Sequence, residues 1–269
     1  MGVIFSRVTQ SYYAERSTLG QAIEIHKAPE DSAAGFLCNA TVTNFDAIRG
    51  EITVRLTFSY YGADIVADDE FSIREDFWLI TNTIKGKNND LFKANNSIPP
   101  QEIVLSTAGL FSDYPFDVHT ADLQLQMGNA KNETYDVALN VTSAVAGFNI
   151  TATEAKGPQP TMTQASLIVN RTPTVRKFSI FINATMWILA MVILGVAMQV
   201  LVGGRKPEIA MLTFMAGMMF AFPAVRNLQP GIPPLGSITD YYATFFAQGI
   251  AALGITTVGG VWIFRKPTP

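Results

Sequence analysis

From Phe178 to Val202 the chain runs for 25 residues without an ionisable side chain. At 1.5 Å per residue, a helix of that length crosses a hydrocarbon core about 30 Å thick with some tilt. A second apolar run, Ile209 to Val225, has 17 residues and meets Pro223 near its end. The third, Tyr241 to Phe264, has 24 and stops at Arg265 and Lys266. The alternative is three buried core helices, and too little polar sequence surrounds these runs to cover them. The pattern therefore predicts transmembrane helices over 178–202, 209–225 and 241–264.

Upstream the period changes to two. In Gly50–Tyr61, Ile52, Val54, Leu56, Phe58 and Tyr60 share one face, and Thr53, Arg55, Thr57 and Ser59 the other, which is the signature of a strand with one buried face. The alternation recurs at Leu123, Leu125 and Met127 and at Tyr135, Val137, Leu139 and Val141. Shorter β-rich runs lie at 77–81, 103–106 and 166–169, separated by Gly/Asn/Asp/Pro clusters. The expected organisation is an N-terminal segment (1–34), packed or a linker, then an all-β, immunoglobulin-like antiparallel sandwich (35–172). A bundle of three transmembrane helices (173–269) follows.

Composition fits a membrane protein: 48% hydrophobic and 15% charged residues, a mean hydropathy of +0.22, against about 25% charged in soluble domains. A net charge of −3 leaves no basic surface for nucleic acid. One cysteine, Cys38, and two histidines, His26 and His119, exclude an intrachain disulfide and a Cys/His zinc site. No phosphate loop, nucleophile elbow or metal-binding pair occurs, so no cofactor and no enzymatic activity are expected. The acidic stretch Asp64, Asp68, Asp69, Glu70, Glu75 and Asp76 lacks the spacing of a calcium loop and reads as a solvated face. His119 has no catalytic partner at a telling spacing and reads as structural.

Sequons begin at Asn39, Asn95, Asn132, Asn140, Asn149, Asn170 and Asn183, and none follows the first helix. The first six are candidate N-glycan acceptors; Asn183 lies inside the apolar run, too close to the bilayer. Arg205 and Lys206, with Arg265 and Lys266, mark the opposite side as cytoplasmic, although Arg176 and Lys177 count the other way. The expected topology is an N-terminal domain in the lumen or outside the cell and a cytoplasmic C-terminus, in the secretory pathway or plasma membrane. Residues 1–34 hold no apolar signal run. The opening residues match a myristoylation pattern at Gly2, which would need a cytoplasmic N-terminus.

Asp113, Pro115 and Asp117 mark a structural turn before the Leu123 strand. Four prolines stand within twelve residues from the end of the second helix, Pro223, Pro230, Pro233 and Pro234, the last three bracketed by Arg226 and Asp240. That stiff loop is expected to carry a charge pair fixing the angle between helices. Ala243, Ala247, Ala251 and Gly259 form a small-residue stripe suited to packing on protein. Seven of the ten methionines lie in helices one and two, as adaptable packing.

The YPFD turn (114–117), MWILA (186–190) and above all FAFPAVRNLQPGIPPLG (220–236) followed by Asp240 resemble an uncharacterised family of fungal and actinobacterial membrane proteins, a domain of unknown function. The resemblance covers about 35–266 and implies topology rather than activity. Members usually carry a further N-terminal membrane helix. A fainter resemblance is to pentameric ligand-gated channels, through the same turn, Arg176/Lys177 at the first helix and Pro223–Val225. No cysteine pair brackets the turn here, and the second helix offers only Thr213 as a polar side chain, a lining that would dewet. The expected function is a non-enzymatic, glycosylated structural or accessory protein. Its partners are the lipid bilayer and either copies of itself or another membrane protein. An oligomeric channel-like protein is the alternative.

Overall fold

The computed structural model describes residues 22–26, 34–62, 64–67, 72–131, 133–143, 145–156 and 162–264. Asn132, Asp68, Asp69, Glu70, Arg265, Lys266 and Gly2 therefore lie outside the described residues. The chain divides into two compact units: residues 1–110 with 117–172, and residues 111–116 with 173–269.

Among its described residues the first unit is all β. Its strands are β1 (Ile23–His26), β2 (Gly35–Asp46), β3 (Glu51–Tyr61), β4 (Phe77–Thr83), β5 (Gly86–Phe92), β6 (Gln101–Ser106), β7 (Val118–Asn129), β8 (Thr134–Tyr135), β9 (Val137–Ser143), β10 (Phe148–Lys156) and β11 (Thr163–Arg171). One sheet has the order β1-β9-β2-β3-β6; the other runs β10-β11-β7-β4-β5, with β8 on β7. β1 falls within the N-terminal segment (1–34) expected to be packed or a linker. The expected sheets were antiparallel, yet β2 and β9 pair in parallel. About 90 residues of intervening chain supply the crossover that such a pair requires.

Alternation puts Ile52, Val54 and Leu56 of β3 in the core, all fully buried, in one cluster with Leu123 and Leu125 of β7. Phe36 anchors its centre, edge-on to Phe77 at 5.2 Å and to Tyr135 at 5.9 Å. Burying such a side chain contributes about 1.5–3 kcal/mol. Strict alternation along β2 would turn Phe45 outward. A bulge between Val42 and Asn44 adds one residue and returns Phe45 to the core side.

The second unit holds α1 (Pro173–Leu201), α2 (Ile209–Arg226) and α3 (Phe245–Phe264), each of α1 and α2 and the Asp240–Phe264 segment long and apolar enough to cross a membrane. α1 starts five residues before the apolar run because Pro173 suits a first helical turn, where its missing N–H is not needed. α2 continues through Pro223: the residues beyond still donate backward, and Asn227 N–H reaches the Pro223 carbonyl at 3.1 Å. A wider π-helical turn, Asp240–Thr244, leads into α3. The inward row is Ile182, Met186, Ala190 and Ile193 of α1 with Met215 and Phe222 of α2 and Ala247, Ala251 and Val258 of α3. Phe181, Ile188, Phe220, Leu253 and Phe264 face outward.

Candidate functional site

In the helical unit, polarity gathers between the C-terminus of α2 and the start of α3. Arg226 closes α2 and is 6% exposed; Asp240 opens the π-helical turn and is fully buried. Arg226 Nε donates to Asp240 Oδ1, and Nη2 donates to Oδ2 at 2.8 Å. The same Nη2 reaches the Pro233 carbonyl at 2.9 Å, and Nη1 the Asn227 Oδ1 at 3.2 Å. Asp240 Oδ2 further accepts from the Gly236 and Ser237 N–H groups at 2.9 and 3.1 Å and from Ser237 Oγ at 3.0 Å. A buried ion pair persists where such additional bonds offset its desolvation. Prolines at 230, 233 and 234 hold the intervening backbone in turns that present those groups.

Residues 111–116 belong to this unit although they lie between two strands in sequence. Phe111–Asp113 form a single 3-10 turn, and Phe116 N–H donates to the Asp113 carbonyl at 2.8 Å. Tyr114–Pro115 is a cis peptide. Tyr114 is fully buried, its hydroxyl 2.6 Å from Ser179 Oγ of α1 and donating to the Pro230 carbonyl at 3.0 Å. Beside it, Gln229 Nε2 donates to Asn183 Oδ1 at 3.1 Å. Asn183 thus spends its side chain inside the bundle. Ser179 and Ser237 were not singled out by sequence, and Tyr114 and Gln229 entered only as members of the YPFD turn and the 220–236 motif; the signal was their place within or opposite the proline-rich loop.

Ala243, Ala247 and Ala251 are buried within the chain's own bundle. Gly254 stands at the closest approach: a Cβ there would lie 2.8 Å from Ile193 Cγ2, whereas one on Gly259 would lie 3.7 Å from Leu212. Four-residue steps rotate 40° each around a helix of 3.6 residues per turn, so by Gly259 the stripe has drifted and 254 and 258 take over.

In the β unit, the side chain of Asp117, at the end of the expected turn, is engaged by Arg171 and His119. Its Oδ1 and Oδ2 accept from Arg171 Nε, each at 3.1 Å, and Oδ2 lies 3.2 Å from His119 Nε2. All three residues are buried. The register that sets Val118 opposite Asn170 brings Asp117 beside Arg171. Arg171 also sits over the Phe148 ring at 4.5 Å, and Phe45 meets both Phe148 and His119 edge-on. Burial alone would raise the Asp117 pKa; hydrogen bonding from His119 and the charge and hydrogen bond of Arg171 outweigh it, so the carboxyl sits below its usual range. From sequence His119 was read alone; the signal that could have found the cluster was Asp117 two residues before it, just ahead of β7.

His26 links the sheets. Its Nδ1 is 2.8 Å from Glu154 Oε1 on β10 and its Nε2 3.0 Å from Asp136 Oδ1, which precedes β9. Partial burial lowers its pKa, but the two carboxylates, Glu154 foremost, raise it above the ordinary value. Of the acidic stretch, Asp76 accepts from Ala94 N–H and Glu75 meets Lys131. Among the described residues no three His, Cys, Asp or Glu gather to hold a metal.

Of the candidate acceptors, Asn95 and Asn149 are exposed and Asn39, Asn140 and Asn170 half-buried. A family described as a domain of unknown function (DUF4436) matches residues 26–170, and a second one, also of unknown function (DUF8686), matches 171–265. No curated protein matches the chain.

Proposed function

The chain belongs to the DUF4436 family, and we propose that it is a non-enzymatic, glycosylated integral membrane protein with a structural or accessory role. On this reading its immunoglobulin-like β unit stands in the lumen or outside the cell, its C-terminus is cytoplasmic, and it works as an oligomer or with a membrane-protein partner. The observation that carries the reading is where polarity is spent. Arg226 and Asp240 bond each other, Ser237 and the loop backbone, while the outward helix faces are apolar. Charges closed on one another in this way stabilise an anchor, and neither Arg226 nor Asp240 is left free for chemistry.

Orientation rests on the six acceptor sequons before α1 and on the Arg205/Lys206 loop after it. Association falls to surfaces other than the alanine stripe, which α1 already covers. The test is the size of the purified protein in detergent, with and without cross-linking, beside an endoglycosidase shift. A defined oligomer or hetero-complex and a mass loss on treatment support the reading. A monomer at the bare polypeptide mass in a glycosylating host removes it.

A second reading, the channel-like one, is favoured by one contact: Tyr114 ties the 111–116 turn to the Pro230 carbonyl in the loop between α2 and α3. Its weakness is α2, where the Thr213 hydroxyl is spent on the Ile209 carbonyl at 3.1 Å. Ion flux in liposomes that changes on Tyr114→Phe would favour this reading over the first.

A further inference from the structure

Four of the sequons form two pairs across neighbouring strands. Asn39-Ala-Thr41 on β2 lies in register with Asn140-Val-Thr142 on β9, Asn beside Asn and Thr beside Thr. Asn140 Nδ2 donates to Asn39 Oδ1 at 3.3 Å, and the two threonine hydroxyls are 3.0 Å apart. Both strands are interior to their sheet, β9 between β1 and β2, β2 between β9 and β3. Asn149 on β10 likewise stands opposite Asn170 on β11. Here the partners differ: β10 is an edge strand and Asn149 is exposed, while Asn170 is half-buried between β10 and β7 and lies eight residues before Phe178. Asn95 has no such neighbour. It occupies an exposed turn with φ 61°, in the left-handed region that asparagine tolerates, and its backbone N–H is held by the Ile73 carbonyl.

Neighbouring strands lie about 4.8 Å apart, with the Cβ atoms of directly opposed residues at about that distance. A pyranose ring is wider, so two glycans cannot rise side by side from one pair. In the Asn39–Asn140 pair, moreover, the Asn140 Nδ2 that would carry a sugar is turned onto the Asn39 Oδ1.

We propose that each pair is a mutually exclusive acceptor, that the glycans of the β unit sit on Asn95 and Asn149, and that the Asn39–Asn140 and Thr41–Thr142 ladder keeps the outer face of the β1-β9-β2-β3-β6 sheet bare. The inference rests on the extracytoplasmic placement proposed above. The reaction is glycosyl transfer from a lipid-pyrophosphate-linked oligosaccharide supplied by the host. The asparagine Nδ2 forms the bond to C1 of the first sugar, the bond from C1 to the pyrophosphate oxygen breaks, the lipid pyrophosphate leaves, and the amide proton passes to solvent.

The full chain, with Asn132→Gln to leave five acceptors, is expressed in a eukaryotic secretory host and mapped by glycopeptide mass spectrometry. Asn95 and Asn149 should be occupied and Asn39 and Asn140 bare. Asn149→Gln should remove one glycan step on a gel, and Asn140→Gln none. Molecules carrying sugar on Asn39 or Asn140, or on Asn170 in preference to Asn149, would overturn the inference and leave the topology standing. Five bare sites would overturn the extracytoplasmic placement and the inference with it.

Discussion

Arg226 grips Asp240 at two points, from 14 residues away in sequence and between the end of one long apolar helix and the start of the next. Removing one partner strands the other charge in a buried site, at a cost of about 3–5 kcal/mol. Arg226→Ala and Asp240→Ala should each lower the unfolding midpoint in detergent by such an amount. The double alanine variant should lose less than the sum, since neither charge is then stranded. Exchanging the two charges should recover little. Asp240 also takes three bonds from Gly236 and Ser237, and Arg226 gives two to Pro233 and Asn227. An arginine at 240 cannot accept the first set. Strict additivity of the two single losses would show that the charges act independently.

Tyr114→Phe should be nearly isosteric yet destabilising by about 1–3 kcal/mol, because Ser179 Oγ and the Pro230 carbonyl lose a buried partner. Ser179→Ala should cost less, as Tyr114 keeps Pro230. Thermal unfolding of the two variants side by side checks the order, and equal effects would contradict the second bond.

The helices were legible because a bilayer demands an uninterrupted run of apolar residues whatever else the chain does, and β3 because one buried face imposes period two. Arg226 and Asp240 stood out as charges flanking an otherwise uncharged stretch. What escaped was non-local. Nothing near residue 117 announces Arg171, 54 positions on; strand register decides that. Nor does any local pattern assign residues 111–116 to the helical unit, or pair β2 with β9 in parallel. The small-residue stripe was visible, but the π-helical turn and rotational drift decide that Gly254, not Gly259, meets α1.

Two groups in the β unit give its stability opposite pH limits. The Asp117 pKa is held below the ordinary 3.8, so its contribution is complete above that value and is lost as pH falls through the folded-state pKa. The His26 pKa is raised above 6.5, so its contribution is complete below 6.5 and disappears as pH rises through the folded-state pKa. Glu154 and Asp136 would then face an uncharged ring. Unfolding midpoints of the full chain should pass through a plateau between these limits. Asp117→Asn should flatten the acid limb, and His26→Ala the alkaline one. A His26→Ala profile that still falls on the alkaline side as steeply as that of the parent would exclude His26 as its source.

The last prediction separates two glycines on the same helix. At Gly254 an added Cβ would meet Ile193 Cγ2 at 2.8 Å and Met215 Sδ at 3.4 Å, while at Gly249 it would meet nothing within 4 Å. Helix propensity favours alanine over glycine at both sites by about 1 kcal/mol. At Gly249 that term acts alone, so Gly249→Ala should be neutral or slightly stabilising. At Gly254 the methyl must push α3 from α1 or force Ile193 from its rotamer, and overpacking of that kind costs about 1–3 kcal/mol. Gly254→Ala should therefore be destabilising, and Gly254→Ala combined with Ile193→Val should recover part of the loss by removing a methyl group from the contact. Denaturation in mixed micelles reads all three variants. If Gly249→Ala and Gly254→Ala shift stability equally, α1 and α3 do not approach as closely as the structure places them, and the alanine stripe is free to serve an interface with another chain.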